Sequence, residues 1–252
     1  MKINWKIKLG AILLLLSIGI YTFAYFNFHA SGEVIFYIIL DLAFLPLDVL
    51  LVVIIVEGIM NKKEKEQILE KMDMILSAFF SELGTEILSK LNKLNYNEEK
   101  IDQILDNIEK WPDKDFKKFL KEFKSSDYEF DIELKETNKD EFLIELRQIL
   151  IEKREFLIRL LENPNLLEKD GFSNLLLGLF HLTDELEKRD FKDTRPDSDY
   201  KHLIGDINRV YSYLIYEWID YLHYLKNHYP FMFSFAIRTN PFNKNAKIYI
   251  NE

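Results

Sequence analysis

The chain has 252 residues, with 8 Gly, 6 Pro and no Cys. The lack of Cys excludes disulfides, thiolate metal sites and cysteine nucleophiles, and the few Gly and Pro exclude a turn-rich β-sandwich or a low-complexity linker protein. The net charge of −9 disfavours nucleic acid as a partner, because an acidic surface repels phosphate backbones.

Two apolar segments near the N-terminus predict a transmembrane hairpin within residues 1–60. Residues 9–28 carry no formal charge and would form a helix about 30 Å long, which matches one hydrocarbon core. Residues 34–59 form the second segment. A cleaved signal peptide is disfavoured for two reasons. The apolar region is long for a signal peptide, and bulky Phe28 occupies a position near the candidate cleavage site where a small side chain is preferred. The lipid bilayer is therefore a predicted partner.

The lysines next to the two segments predict an orientation. The short turn between the segments contains no Lys or Arg, whereas six lysines lie close to their outer ends. Because Lys and Arg accumulate on the cytoplasmic side, the sequence predicts a multi-pass protein of the cytoplasmic (inner) membrane with both termini in the cytoplasm. The six residues are Lys2, Lys6, Lys8, Lys62, Lys63 and Lys65.

Small side chains recur every seven residues in the first segment, at Gly10, Ser17 and Ala24. Such a ridge lets another helix approach closely. The second segment or a neighbouring subunit is the predicted occupant, and a chance spacing is the alternative interpretation.

Ionisable residues interrupt the second segment, in the stretch LDLAFLPLDVLLVV. Asp41 and Asp48 are seven residues apart and share one helical face, Pro46 predicts a kink, and Glu57 falls near the inner rim. A lone carboxylate at mid-bilayer costs about 2.5–3.5 kcal/mol on insertion scales. Each must be protonated, hydrogen-bonded, or in contact with water or another subunit. A structural hydrogen bond, an ion or proton pathway and a misplaced span are the three open interpretations.

Helical periodicity continues after the second segment. Apolar residues spaced by three and four from Ile68 to Leu94 predict a helix whose weak point is Gly84. This helix either packs against its own domain or forms the seam of an oligomer. We divide the chain into a hairpin at 1–60, a juxtamembrane helix at 61–96 and a cytosolic helical domain at 97–252.

Start and stop signals predict a cytosolic multi-helix bundle and an all-α fold. Asn97 and Asp113 are N-cap candidates, Asn138 opens a capping-box pattern, and Pro230 suits a first helical position. Residues 128–134, YEFDIEL, alternate like a strand, with KIYI near the C-terminus as a candidate partner. The predicted helices span residues 98–110, 113–124, 139–162, 173–189, 199–228 and 231–238.

Histidines stand near carboxylates at helical spacing in three places. A di-metal bundle normally needs two Glu-x-x-His motifs, and the chain contains none. We therefore interpret these groups as exposed ion pairs and expect no metal and no cofactor. The motifs GxxxxGK[ST], GxGxxG, GxSxG and HExxH are also absent, which favours a non-enzymatic protein. The groups are His181 with Asp184 and Glu185, His202 with Asp206, and Asp220 with His223.

Aromatic residues are dense near the C-terminal end. Such runs usually belong to a core, but this one covers several helix faces, so some members should reach the surface and serve partner binding or membrane docking. The run comprises Tyr211, Tyr213, Tyr216, Trp218, Tyr221, Tyr224, Phe231, Phe233 and Phe235.

Over most of its length the chain resembles a widespread prokaryotic family of uncharacterised proteins with an N-terminal membrane segment and a helical remainder. The resemblance rests on DLAFLPLDVLLV, AFFSELGTEIL, EKREFLIRLLENPNLLE, FHLTDEL and YPFMFSFAIRTNPF. It implies that the chain is one unit, and it implies no activity, cofactor or catalytic residue.

Three functional hypotheses follow. The first is a non-enzymatic, membrane-anchored scaffold or sensor that self-associates or binds a cytosolic protein partner. The second is an oligomeric cation or proton pathway lined by Asp41 and Asp48. The third, a metal-dependent helical enzyme, rests only on the histidine and carboxylate pairs.

Overall fold

The computed structural model describes residues 5–27, 33–94, 105–125, 139–191, 195–243 and 246–249. Within these ranges the protein is helical and contains no β-strand, so the predicted all-α class is confirmed. A π-helical turn follows α2 at Phe80–Gly84, and short 3-10 turns occur at Ile108–Lys110 and Leu166–Glu168. The helices are α1 Trp5–Asn27, α2 Glu33–Phe79, α3 Thr85–Asn92, α4 Asp113–Ser125, α5 Lys139–Glu152, α6 Arg154–Leu161, α7 Asp170–Glu187, α8 Asp197–His228 and α9 Pro230–Arg238.

Several predicted helix boundaries agree with these bounds, and others need correction. The helices predicted at 113–124 and 199–228 are present, and Pro230 begins α9 at its first position. The helix predicted at 139–162 is two helices, because Lys153 leaves the α-helical conformation with φ −94° and ψ 6°. No Gly or Pro marks this break in the sequence. The segment KIYI has no strand at residues 247–249.

Two predicted elements lie partly or wholly outside the described residues. The structure does not describe residues 128–134, where a strand was predicted. Of the helix predicted at 98–110, it describes only the C-terminal end. That end is a 3-10 turn at Ile108–Lys110 that leads to an extended Trp111.

The chain divides into two units, Met1–Gln67 and Ile68–Glu252, with the boundary inside α2. In unit 1, α1 and the first part of α2 run antiparallel. The Ser17 hydroxyl donates to the backbone oxygen of Ala43 at 2.8 Å, and Gly10, earlier in α1, lies against Leu50, later in α2. The predicted three-part division at residues 60 and 96 stays a prediction.

Within the described residues, one helical stretch, Ile39–Asn92, is long and apolar enough to cross a membrane by length and composition. It contains residues 39–59 of the second predicted segment, and α2 continues through Pro46 without interruption. The helix α1 covers the first predicted segment up to Asn27, but a two-span topology is not supported by this measure and stays a prediction.

The core of unit 2 is built around α8. Trp218 and Tyr211 on α8 are almost completely buried, and so are Met72 and Phe79 at the end of α2. The apolar periodicity after the predicted spans therefore reflects packing within the chain's own domain, which was one of the two interpretations of that pattern. Burial of such large side chains is the main favourable term in folding.

Buried amides fix the ends of this core. The Tyr211 hydroxyl donates to Oδ1 of Asn92 at 2.5 Å, and Nδ2 of Asn92 donates to the Pro241 backbone oxygen. Asn240 donates from Nδ2 to the backbone oxygen of Leu105 at 3.1 Å. Buried amides are stable only when hydrogen-bonded, so these contacts attach the segment after α9 to the bundle.

Replacing Gly84 with alanine is expected to lower the free energy of unfolding by about 1–3 kcal/mol. A Cβ at this position would lie 2.6 Å from Cε1 of Phe79 and 2.7 Å from Cδ1 of Phe80, both buried. This clash outweighs the higher helix propensity of alanine, which favours it by about 1 kcal/mol. Gly205→Ala is the matched control, because a Cβ there meets no atom within 4 Å. Denaturant titration should show a loss only for Gly84→Ala, and equal stability of the two variants would contradict the packing argument.

Candidate functional site

The two aspartates of α2 are exposed on the surface of unit 1. Asp41 and Asp48 lie on one helix face, whereas Pro46, between them in the sequence, is buried. Among the described residues neither carboxylate has a hydrogen-bond or ion-pair partner. A carboxylate in an apolar environment needs a hydrogen-bond or ion-pair partner. The described part of α1 supplies no such partner to Asp41 or Asp48.

Two hydroxyl groups of α1 donate to backbone oxygens and do not pair with the carboxylates of α2. Ser17 donates to Ala43 on α2, and the Thr22 hydroxyl donates to the backbone oxygen of Ile18 within α1 at 2.8 Å. Hydroxyls bonded in this way satisfy a helical carbonyl. They leave Asp41 and Asp48 without a donor from these two residues.

The remaining predicted residues of unit 1 fall at the contact between its helices. Gly10 lies against Leu50, with ordinary van der Waals space for a Cβ, and Ser17 is buried. Ala24 lies in α1, but its side chain is outside the described residues. Glu57 forms an ion pair with Lys6, so it is neutralised within the chain.

A second group of charges lies inside unit 2, around Lys169. This residue immediately precedes α7, and its ammonium donates to Oδ1 of Asp73 at 2.5 Å and to Oδ2 of Asp220 at 2.7 Å. Burial works against the ammonium, but the neighbouring carboxylates of Asp220 and Asp73 outweigh it and raise the pKa of Lys169. Lys169 thus joins the end of α2, through Asp73, to α8.

Glu217 is the most deeply buried carboxyl of this group, with only 1% of its surface exposed. Burial raises its pKa to about 8, so the group is protonated at neutral pH. Its Oε1 occupies the space beside Gly171, where a Cβ would lie 2.2 Å from it. Its Oε2 is buried without a hydrogen-bond partner.

The chemistry open to this buried group is proton binding. A carboxyl and an ammonium with perturbed pKa values are typical of functional sites, but a catalytic pair must also reach a substrate. Glu217 is closed off from solvent, and Lys169 is occupied by two carboxylates. The arrangement fits a structural network that responds to pH more closely than a catalytic site.

The predicted histidine and carboxylate groups are only partly present. Asp220 binds Lys169, and Nε2 of His223 lies 3.4 Å from Asp113, so the predicted pairing of Asp220 with His223 is wrong. The prediction failed because each residue meets a partner distant in sequence. Asp184 likewise binds Arg154.

His181 lies beside Asp206 of α8. His202, the residue with which Asp206 was predicted to pair, approaches the same carboxylate. The structure thus merges two of the predicted groups into one cluster that spans two helices.

The C-terminal aromatic run is mostly core. The tyrosines and tryptophan at its centre pack inside unit 2, and the ring of Tyr221 stacks on Phe80 with centroids 5.1 Å apart. Two members reach the surface on α9, Phe231 with 73% and Phe235 with 54% exposed. A partner-binding surface there stays a prediction.

Comparison with known proteins identifies relatives over nearly the whole chain. Residues 68–238 match the family described as the C-terminal helical domain of uncharacterized protein MJ1433, and residues 1–60 match the corresponding N-terminal helical domain. The chain belongs to this family. It is 40% identical over 249 residues to uncharacterized protein MJ1433 of Methanocaldococcus jannaschii, covering 99% of this chain and 97% of the relative. No solved structure matches.

The family membership confirms the resemblance to an uncharacterised helical family and brings no activity. The match at residues 1–60 falls in unit 1, and the match at residues 68–238 falls in unit 2. The buried group around Lys169 was missed from the sequence, because Asp73 and Lys169 are 96 residues apart. The one local signal is the pair of acids Glu217 and Asp220 among the aromatic residues of α8.

Proposed function

We propose that the protein is a membrane-anchored helical scaffold or sensor that self-associates through the face of α2 bearing Asp41 and Asp48. The observation that carries this proposal is the exposure of both carboxylates in a long apolar helix without a partner among the described residues. In lipid, an unpaired carboxylate is costly, whereas protonated carboxyls on the matching faces of two copies would hydrogen-bond to each other.

The membrane part of the proposal rests on the surface of unit 1. Apolar side chains are exposed along both helices, including Leu15 with 68% and Ile54 with 62% exposed. A monomer in water rarely exposes such extended apolar surface. With lysines outside both segments, we place two spans in the cytoplasmic membrane, with the N-terminus, the C-terminus and unit 2 on the cytoplasmic side.

Replacing Asp41 and Asp48 together with leucine is expected to weaken self-association. Interhelical hydrogen bonds in membranes contribute about 0.6–2 kcal/mol each, so the loss of two should raise the dissociation constant roughly tenfold or more. The measurement is the mass of the protein particle in mild detergent, corrected for bound detergent, over a range of protein concentrations.

The matched control is Thr22→Leu, which also replaces an exposed polar side chain of unit 1 with leucine. The Thr22 hydroxyl is satisfied within α1, so this variant should assemble like the wild type. A wild-type protein that is monomeric at all concentrations would overturn the proposal, as would a double variant that assembles unchanged.

A second function, an oligomeric cation or proton pathway, is favoured by the common face of the two carboxylates. Rings of acidic side chains line cation-conducting pores. Asp48→Asn keeps a hydrogen-bonding side chain and removes the charge, so a scaffold should keep its assembly and a pathway should lose flux. Ion flux into vesicles that contain the wild type or Asp48→Asn distinguishes the two.

A further inference from the structure

Two histidines from different helices meet one buried carboxylate in unit 2. His181 lies on α7, and His202 and Asp206 lie one turn apart on α8, a spacing that puts both on one helix face. Nε2 of His181 lies 3.4 Å from Oδ2 of Asp206, and Nε2 of His202 lies 3.3 Å from the same oxygen. The three side chains have ligand atoms within 4.8 Å of one another.

The close approach of the two helices builds this cluster. Gly178 on α7 lies against Val210 on α8, where a Cβ would meet Cγ2 of the valine at 3.3 Å. His181 follows Gly178 by one helical turn and Asp206 precedes Val210 by one turn, so antiparallel packing places them side by side. A site carried by two packed helices is held more rigidly than one on loops.

Asp206 is the residue that points to a ligand. It is only 4% exposed, and its Oδ1 accepts a hydrogen bond from Arg209 at 2.9 Å. Its Oδ2 is buried and has no hydrogen-bond partner. A buried carboxylate oxygen left unbonded is costly, and this one is aimed at the two Nε2 atoms.

The two nitrogen-to-oxygen distances fit a metal ion. Zinc binds imidazole nitrogen and carboxylate oxygen at about 2.0–2.1 Å, so two ligand atoms of a tetrahedral site are separated by roughly 3.3–3.4 Å. Both nitrogen-to-oxygen distances in the cluster have this value. A cation bound between the three atoms would also satisfy Oδ2 of Asp206.

We propose that His181, His202 and Asp206 bind one divalent transition-metal ion of the Zn²⁺ type. Two imidazoles and a carboxylate suit this class of ion. The imidazoles are about half exposed, with 48% and 52% of their side-chain surface accessible, so water can complete the coordination. This site is independent of the membrane function proposed above.

Neighbouring residues complete the electrostatics of the site. Oε2 of Glu185 lies 3.5 Å from Nε2 of His202, but it accepts a hydrogen bond from Arg189 at 2.5 Å. That bond lowers the pKa of Glu185, which keeps it anionic beside the imidazoles. We therefore assign Glu185 the role of a positioning residue and not of a ligand. Arg209 holds the other oxygen of Asp206 in the same way.

Zinc titration of the full-length protein in detergent, after removal of metal with a chelator, tests the proposal. Calorimetry should give one Zn²⁺ per chain. His181→Gln and His202→Gln should each bind at least about tenfold more weakly, because each loses a ligand. Co²⁺ is a second probe, since a four-coordinate site gives intense visible absorption bands that either substitution should diminish.

The control is His228→Gln, because Nδ1 of His228 lies 3.0 Å from the backbone oxygen of Tyr224 at the end of α8, outside the cluster. This variant should bind Zn²⁺ like the wild type. His181 and His202 are half exposed, so their substitution should leave the metal-free circular dichroism spectrum unchanged. An absence of saturable Zn²⁺ binding by the wild type would overturn the proposal and leave an imidazole–carboxylate ion pair. Equal affinity of all three glutamine variants would also overturn it.

Discussion

Replacing Lys169 with methionine is expected to lower the free energy of unfolding by about 2–4 kcal/mol, since it leaves buried carboxylates without their cation. Lys169 is 13% exposed, and its partners Asp73 and Asp220 are 19% and 33% exposed. The partial exposure of the carboxylates keeps the expected loss below that of a fully buried pair. Methionine preserves the length of the side chain, so the variant reports the charge and its hydrogen bonds more than a change of volume.

The measurement is denaturant unfolding of the full-length protein in detergent, followed by tryptophan fluorescence, with the denaturant dependence compared between variants. Lys153→Met is the matched control. Lys153 pairs with Glu82 at 3.3 Å, but the Glu82 side chain is 58% exposed, and such pairs contribute only about 0–1 kcal/mol. If both variants lost the same free energy of unfolding, the burial of Lys169 and its carboxylates would not make their interaction stronger than an exposed ion pair.

The position of Lys169 gives this test a structural meaning. It binds Asp73, at the end of α2, and Asp220, on α8, from a residue directly before α7. Two helices, α2 and α8, therefore depend on one ammonium for the neutralisation of their carboxylates. A hydrophobic side chain in place of Lys169 could pack similarly, but it would not hold Asp73 and Asp220 on a common partner.

Local patterns were enough to predict most of the helical fold. The three-to-four spacing of apolar residues after Ile68 predicted the buried face that carries Met72 and Phe79, because helix periodicity is a property of neighbouring residues. Pro230 marked the first position of α9 for the same kind of reason. The π-helical turn coincides with the predicted weak point at Gly84, where the absence of a Cβ makes room for two phenylalanine rings.

Contacts between distant residues could not be predicted in this way. The sequence places Asp220 one turn before His223, yet Lys169 takes Asp220 and Asp113 approaches His223. The cluster of His181 with Asp206 requires the packing of α7 on α8, which depends on Gly178 and Val210. Helical spacing identifies which residues share a face, but only the packed structure identifies what that face meets.

Glu217 is expected to make the protein less stable as the pH rises from about 5 to about 8. Its pKa is raised from 4.5 in the unfolded chain to about 8 in the folded protein by burial. Between these values the folded state binds one proton more than the unfolded state, so the free energy of unfolding falls by up to about 1.4 kcal/mol per pH unit. The contribution is fully present below the unfolded pKa and is lost as the pH rises through the folded pKa.

Two other carboxyls with shifted pKa values affect stability in the opposite direction to Glu217. Hydrogen bonds from Arg189 lower the pKa values of Glu185 and Asp199. Their contributions to stability are present above the unfolded pKa values and are lost as the pH falls through the lowered values. Burial raises the pKa of Asp73, although Lys169 opposes this. Asp73 therefore acts in the same direction as Glu217, and the Glu217→Gln variant separates the two contributions.

Glu217→Gln tests this assignment, because glutamine keeps the size and polarity of the side chain and cannot titrate. Unfolding free energies measured at pH 5, 6.5 and 8 should fall with pH for the wild type and stay nearly level for the variant, so that the variant is the more stable protein at pH 8. Glu155→Gln, whose side chain is 86% exposed in the wild type, should keep the wild-type slope. A wild-type protein with constant stability over this range, or a Glu217→Gln variant with an unchanged slope, would show that Glu217 does not hold a proton in the folded state. A slope that disappears only in Glu217→Gln would make this buried carboxyl, with Lys169 beside it, the pH-responsive element of the helical domain.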